Sequence, residues 1–281
     1  MVDQSKKIYY FDHAASSWPK PPAVIAAMTE SVLEYGANPG RGSHQLSMTA
    51  SRVIFGARKN IAHLFQIQNP NDIFFFQNAT SALNQAIKGF LKLGDHVITT
   101  SLEHNSVRRP LEYLREQQHI QITYISANRE GKIDLKEIEK AINAHTKLIV
   151  CTHSSNLLGT ILPVEEIAEI ARRKRIKFLL DAAQTAGTYP IQVSSMAIDM
   201  LAFPGHKGLL GPQGIGGLYV NPAIELEPLI HGGTGSQSEL IQQPTVRPDR
   251  YESGTMNTPG IAGLNAGIQH VTEQTVEVIH K

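Results

Sequence analysis

The sequence predicts an α/β domain whose largely parallel sheet is covered on both faces, and three observations predict it. A series of short apolar runs recurs along the chain, often β-branched and apolar at consecutive positions rather than alternating ones, as in strands buried on both sides. Helical patterns separate several of these runs, the arrangement of a sheet whose strands are joined by covering helices. The 281 residues, 41% of them hydrophobic, suffice for one large domain with a full core, or for one and a fragment of another.

The elements follow in order. "PAVIAAMTESVLEYG" reads as a helix closed by Gly36, and "SMTASRVIFGARKNIAHLF" as a second. The buried strands are "DIFFF", "HVITT", "IQITYI", "KLIVCT", "KFLLDA", "DMLAF" and "IGGLYV". "LKEIEKAI" and "PVEEIAEIARRKR" are helices between them. From Gly232 to Pro259 the chain is rich in Gly, Ser, Thr and Pro and has no clear period, so it reads as a long loop, functional or disordered. "GIAGLNAGIQHVTEQTVEVIHK" then reads as one terminal helix.

Composition narrows the function. Lys+Arg 26 against Asp+Glu 25 leaves a net charge of +1, which gives no pull toward nucleic acid or an anionic membrane. No segment has signal-peptide character or membrane-spanning length. The single cysteine, Cys151, excludes an internal disulfide framework and a cysteine-based zinc site, and no metal site is expected. The chain reads as soluble and cytoplasmic. No GxGxxG opening a helix after a strand, Walker lysine, HExxH or GxSxG is present. "ARRKR" closes a helix, where cations suit the helix dipole and face water.

Ligands of open α/β sheets collect at the carboxyl ends of the strands, so the residues just past each strand carry the chemistry. After "DIFFF", the stretch "QNATSALN" opens a helix suited to a phosphate through Ala79 and Thr80; alone it is an ordinary capped helix. After "HVITT" comes His104, alone a surface or hydrogen-bonded histidine. Asn156 follows "KLIVCT". Asp181 ends "KFLLD", where an unpaired carboxylate is costly and calls for a cation, and Gln184 lies three residues on. His206 and Lys207 follow "DMLAF" on a glycine-rich turn. Together these meet the needs of pyridoxal phosphate: a lysine to hold its aldehyde as a Schiff base, a carboxylate at the pyridine nitrogen, a phosphate cradle, and a flat group against the ring.

The stretches "YFDHAASSWPKP", "NPGRGSH", "NATSALN", "DHVITTSLEHNS", "HSSNLLGTILPVEEI", "DAAQTAG", "FPGHKGLLGPQGIGGLYV", "GGTGS" and "ESGTMNTPGI" cover nearly the whole chain. They resemble the class V aminotransferase superfamily of fold-type I pyridoxal phosphate enzymes, on its cysteine desulfurase and selenocysteine lyase branch. The resemblance implies a three-layer large domain with a mixed, mainly parallel sheet. It implies that Lys207 bonds the cofactor and then shuttles the substrate Cα proton, and that His104 stacks on the ring as an acid–base group. Asp181 pairs with the ring nitrogen, Gln184 approaches the phenolic oxygen, and Asn156 lies near the ring hydroxyl and the substrate carboxylate. Ala79, Thr80 and His206 hold the phosphate. Thr255 reaches the phosphate of a neighbouring subunit, which implies a homodimer, and a sulfur-acceptor protein is a further expected partner.

The sequence also departs from that pattern. Desulfurases carry their sulfur-accepting cysteine and a carboxylate-binding arginine in a small C-terminal domain. The expected organisation here is therefore an N-terminal segment (1–20), a large domain (21–258) and a connecting helix (259–281) toward a small domain that lies beyond the chain. Pro204 stands where many relatives have a hydroxyl residue. Cys151 sits inside a buried strand and reads as core, since a persulfide-forming cysteine must be exposed, movable and partly thiolate. Arg41 is a candidate for the substrate carboxylate and equally a surface loop residue. The leading function is removal of sulfur or selenium from cysteine or selenocysteine to leave alanine. The alternatives are another class V reaction (transamination, epimerisation or lyase chemistry) and a non-catalytic dimerising or binding protein.

Overall fold

Seven strands form one sheet in the computed structural model, which describes residues 8–40, 42–237 and 239–281. They are β1 (Ile73–Phe76), β2 (His96–Thr100), β3 (Gln121–Ile125), β4 (Thr146–Thr152), β5 (Lys177–Asp181), β6 (Met200–Pro204) and β7 (Gly216–Val220). Their order is β1-β7-β6-β5-β4-β2-β3. All neighbours from β6 to β3 run parallel, while β7 is antiparallel to both β6 and β1. The carboxyl ends of every strand except β7 therefore share one rim.

The helices are α1 (Pro22–Glu34), α2 (Gln45–Phe65), α3 (Ala79–Phe90), α4 (Asn105–Gln118), α5 (Leu135–Ala141), α6 (Val164–Arg173), α7 (Thr258–Gln274) and α8 (Val276–His280). Successive strand residues feed opposite sides of the sheet, as a pleat requires. Ile149, Cys151, Phe178 and Leu180 join one core with Ile54, Ile61 and Phe65 of α2, Ile167 of α6 and Leu264 of α7. Leu148, Val150 and Leu179 join the other with Leu83 and Ile87 of α3 and Leu111 and Leu114 of α4. The expected three layers are present, and α1 packs outside them against α7.

Three expectations change. β3 is an edge strand with Gln121 exposed and Ile122, Thr123 and Tyr124 half-buried, because only β2 pairs with it. The α2 helix begins ahead of the apolar pattern, at Gln45, where the His44 ring accepts the Ser47 amide as a cap. The single terminal helix is two, since Thr275 takes φ 63° between α7 and α8, a conformation helical residues do not adopt. Between β7 and α7 the described residues form neither helix nor strand. Arg247 fixes that segment instead, bonding Asp72 at 2.8 Å and the Val220 carbonyl at 3.0 Å. Among the described residues no helix is long and apolar enough to cross a membrane. Arg41 lies outside the described residues.

Candidate active site

A cavity of about 250 Å³ opens on the strand-end rim, lined by Ala79, Thr80, His104, Asn156, Asp181, Gln184, His206 and Lys207. The fold supplies these side chains from five separate connections, those after β1, β2, β4, β5 and β6. Thr152, Asp181 and Pro204 are the final residues of β4, β5 and β6. Ala79 and Thr80 open α3, whose Asn78 cap forms a reciprocal capping box with Ser81 and leaves the first-turn amides at the cavity.

His104 caps α4 with its ring. Its Nδ1 accepts the Ser106 amide at 3.2 Å, which places the imidazole proton on Nε2. The Ser106 hydroxyl lies 2.9 Å from that Nδ1 and 2.7 Å from the Thr80 hydroxyl, so one serine joins the starts of α3 and α4. Burial first, then Lys207 and Arg109, lowers the His104 pKa. A neutral imidazole is thus held beside two helix N-termini, which suit an anion.

Asp181 is 2% exposed and its Oδ1 accepts the Ala183 amide at 2.9 Å. Burial pushes its carboxyl up to about 6, against the opposing pull of that amide and of Lys207. No ion pair holds it among the described residues. Burial also lowers the Lys207 ammonium, which Asp181 partly restores. A buried carboxylate without a bonded cation faces an amine poised toward its neutral form. That donor set fits pyridoxal phosphate, whose ring nitrogen carries the missing positive charge.

Backbone packing aligns the two turns that carry Asp181 and Lys207. Gly187 takes φ 85°, where a Cβ would meet the Gly208 carbonyl oxygen at 2.5 Å; a Cβ on Gly208 would meet the Ala186 carbonyl oxygen at 2.5 Å. Only glycines permit that approach. The N-terminal segment clamps the same turn from outside. The His206 carbonyl accepts the Ser17 amide at 3.0 Å and Lys20 Nζ at 2.8 Å, and the Lys207 carbonyl accepts the Ser17 hydroxyl at 2.8 Å. His206 Nδ1 is buried without a partner, and burial lowers that imidazole.

Eight of the nine residues expected from sequence share this cavity. Gln184 is there, with its amide donated to the Ala14 carbonyl at 3.1 Å. Thr255 is not, and lines a separate cavity of about 600 Å³ with Glu252, Met256 and Asn257. Sequence reasoning missed Ser106, Thr152, Glu103 and the Ser17–Lys20 clamp. Only Ser106 left a local signal, as a small polar residue just inside a helix start.

Cys151 is fully buried, and its Sγ points to the Thr152 carbonyl at 3.1 Å. Burial, then Glu103 and Asp181, raises its thiol well above the ordinary range. The folded chain should therefore give almost no reaction with an aromatic disulfide reagent at mildly alkaline pH, and one full equivalent after unfolding. Rapid reaction in the folded state would contradict this burial.

A mainly parallel sheet with helices on both faces, and a lysine, a buried aspartate and a helix start converging at its rim, is the fold-type I architecture of pyridoxal phosphate enzymes. Residues 9–281 match the family described as "Aminotransferase class-V", and the chain belongs to that family. Among curated relatives, a "Probable cysteine desulfurase" of Pyrococcus abyssi is 38% identical over 288 residues, covering 100% of this chain and 71% of that protein. A second of that description, from Methanothermobacter thermautotrophicus, is 37% identical over 97% of this chain and 68% of its own. Among solved structures, the apo cysteine desulfurase of Thermococcus onnurineus NA1 superposes with TM-score 0.88 at 37% identity, covering 95% of this chain and 68% of that one. "SspA in complex with cysteine" superposes with TM-score 0.83 at 36% identity, covering 93% and 72%.

Proposed function

We propose that this chain is a pyridoxal phosphate-dependent, cysteine desulfurase-like enzyme that takes sulfur from L-cysteine, or selenium from selenocysteine, and leaves alanine. The observation that carries the reading is the convergence of Lys207, Asp181, His104, Ala79, Thr80 and His206 on one cavity. Relatives described as cysteine desulfurases, and a structural relative in complex with cysteine, support the substrate class.

The cofactor, when bound, supplies an electron sink for cleavage at the amino acid's carbons. The protein's own groups do the rest. Lys207 would hold the cofactor and move the proton at the substrate Cα; burial, which lowers its ammonium, makes the neutral amine accessible. Asp181 holds the ring nitrogen in its protonated form. His104, kept neutral, would face the bound group and offer its Nε2 proton. Ala79, Thr80 and His206 hold the phosphate at the α3 start, and Asn156 and Gln184 orient substrate and ring oxygen. Thr255 serves the site of a second copy, so the working unit is a homodimer in the cytoplasm. A thiol on an acceptor protein receives the sulfur.

The test is product analysis with the purified chain, added pyridoxal phosphate, L-cysteine and a thiol reductant. Alanine and sulfide should appear in step, because reductive release of the sulfur leaves the carbon skeleton as alanine. A keto acid or a racemised substrate in place of alanine would overturn the proposal.

A further inference from the structure

Glu103, one residue before His104, is 6% exposed. Its Oε1 accepts the Thr100 hydroxyl at 2.6 Å and the Thr152 amide at 3.0 Å. The Thr100 hydroxyl in turn accepts the Leu102 amide at 3.2 Å. Thr100 and Thr152 end β2 and β4, the strands that flank this corner of the cavity. Their backbone pairing is registered only as far as Ile98 opposite Ile149, and past it a single carboxyl oxygen bonds the ends of both strands.

We propose that Glu103 is a positioning residue: the strut between the ends of β2 and β4 that seats His104 over the cavity and Thr152 in its wall. It touches neither substrate nor cofactor and acts through those two residues. Its other oxygen, Oε2, is buried without a partner, an arrangement suited to a protonated acid and costly for a carboxylate. The titratable groups that face it are Asp181 on β5 and Cys151 on β4. Burial pushes the Glu103 carboxyl up to about 8, its hydrogen bonds oppose the rise, and Asp181 adds to it. At neutral pH Glu103 is then mostly uncharged, and Asp181 is the one carboxylate in the cavity floor. The strut needs an acceptor oxygen and not a charge.

That distinction sets the experiment. The His104 imidazole is titrated by NMR in the cofactor-free chain, for the wild type, Glu103→Gln and Glu103→Ala. The glutamine keeps an acceptor oxygen and should leave the His104 midpoint where it is. The alanine frees the corner, and the midpoint should rise toward the ordinary imidazole value of about 6.5. An unmoved midpoint in Glu103→Ala, or a shift in Glu103→Gln as large as that in Glu103→Ala, would overturn the proposal. Thr100→Val, a milder change that removes one bond to the same oxygen, should shift the midpoint upward by less, and covers the case in which Glu103→Ala does not fold; no shift there counts against the strut. The seating of His104 is tested without any cofactor, so its failure is separable from failure of the proposed function on which its relevance to catalysis rests. With pyridoxal phosphate added, the circular dichroism of the bound cofactor should persist in Glu103→Gln and collapse in Glu103→Ala.

Discussion

Lys207→Ala should leave a folded chain that no longer retains pyridoxal phosphate through dialysis and turns over L-cysteine at least about 10²–10⁴-fold more slowly, the usual contribution of one positioned proton-transfer group. The expectation rests on position. Lys207 is the lysine that lines the rim cavity, and burial moves its amine toward the neutral form that can attack an aldehyde or take a proton. Lys20 is the rival, because burial lowers it to about 8. Its Nζ, however, is committed to the Ser17 hydroxyl at 2.7 Å and the His206 carbonyl at 2.8 Å. Lys20→Ala should loosen the turn and weaken cofactor retention while leaving attachment intact. Absorbance spectra after dialysis, with cysteine-dependent alanine formation, check both variants. Retention and turnover surviving in Lys207→Ala would remove the basis of the site.

The largest stability effect should come from the buried pair of Arg58 and Glu252. Arg58, on α2, is 3% exposed and its guanidinium lies 4.7 Å from the centre of the Phe75 ring. It donates to the Ile73 carbonyl and to Glu252, whose other oxygen accepts the Phe75 amide at 2.6 Å. One pair thus locks α2, the antiparallel edge strand β1 and the segment that leads to Thr255. Burial pushes the Glu252 carboxyl up, and Arg58 opposes this. Glu252→Ala leaves the guanidinium buried and unpaired, which should cost about 3–5 kcal/mol. The double variant Arg58→Met with Glu252→Ala should lose clearly less than the sum of the two single changes, because removing the second charge removes the penalty left by the first. Urea unfolding of the four proteins measures this coupling. Additivity within about 0.5 kcal/mol would show that the two side chains act independently.

What the sequence revealed and what it hid follow from range of interaction. Buried strands announce themselves through consecutive apolar residues, so the ends of β4, β5 and β6 could be located and the residues after them named. Asp181 was legible because a carboxylate ending an apolar strand needs a reason. His104 was legible only as a group near the rim. Its ring caps α4 through Nδ1, a use of histidine that no local spacing signals.

The hidden parts depend on contacts across the chain. Ser17 meets the Lys207 carbonyl across 190 positions, and Glu103 meets the Thr152 amide across 49. Glu103 is buried with its Oε1 bonded to the ends of two strands, a placement that the residues around it do not announce. The edge position of β3 was hidden likewise, because "IQITYI" carries no mark of how many neighbours it has. The break at Thr275 is a backbone choice inside a sequence that continues its helical pattern. Thr255 was assigned to a partner's site by resemblance alone, and it lines a cavity separate from the one at the rim.

Borohydride reduction of the chain loaded with cofactor, followed by peptide mass mapping, identifies the lysine on which the rim cavity would hold pyridoxal phosphate. The reduced pyridoxyl group is expected on the peptide containing "PGHKG", on Lys207 alone. The label on Lys20, or on no lysine at all, would contradict it.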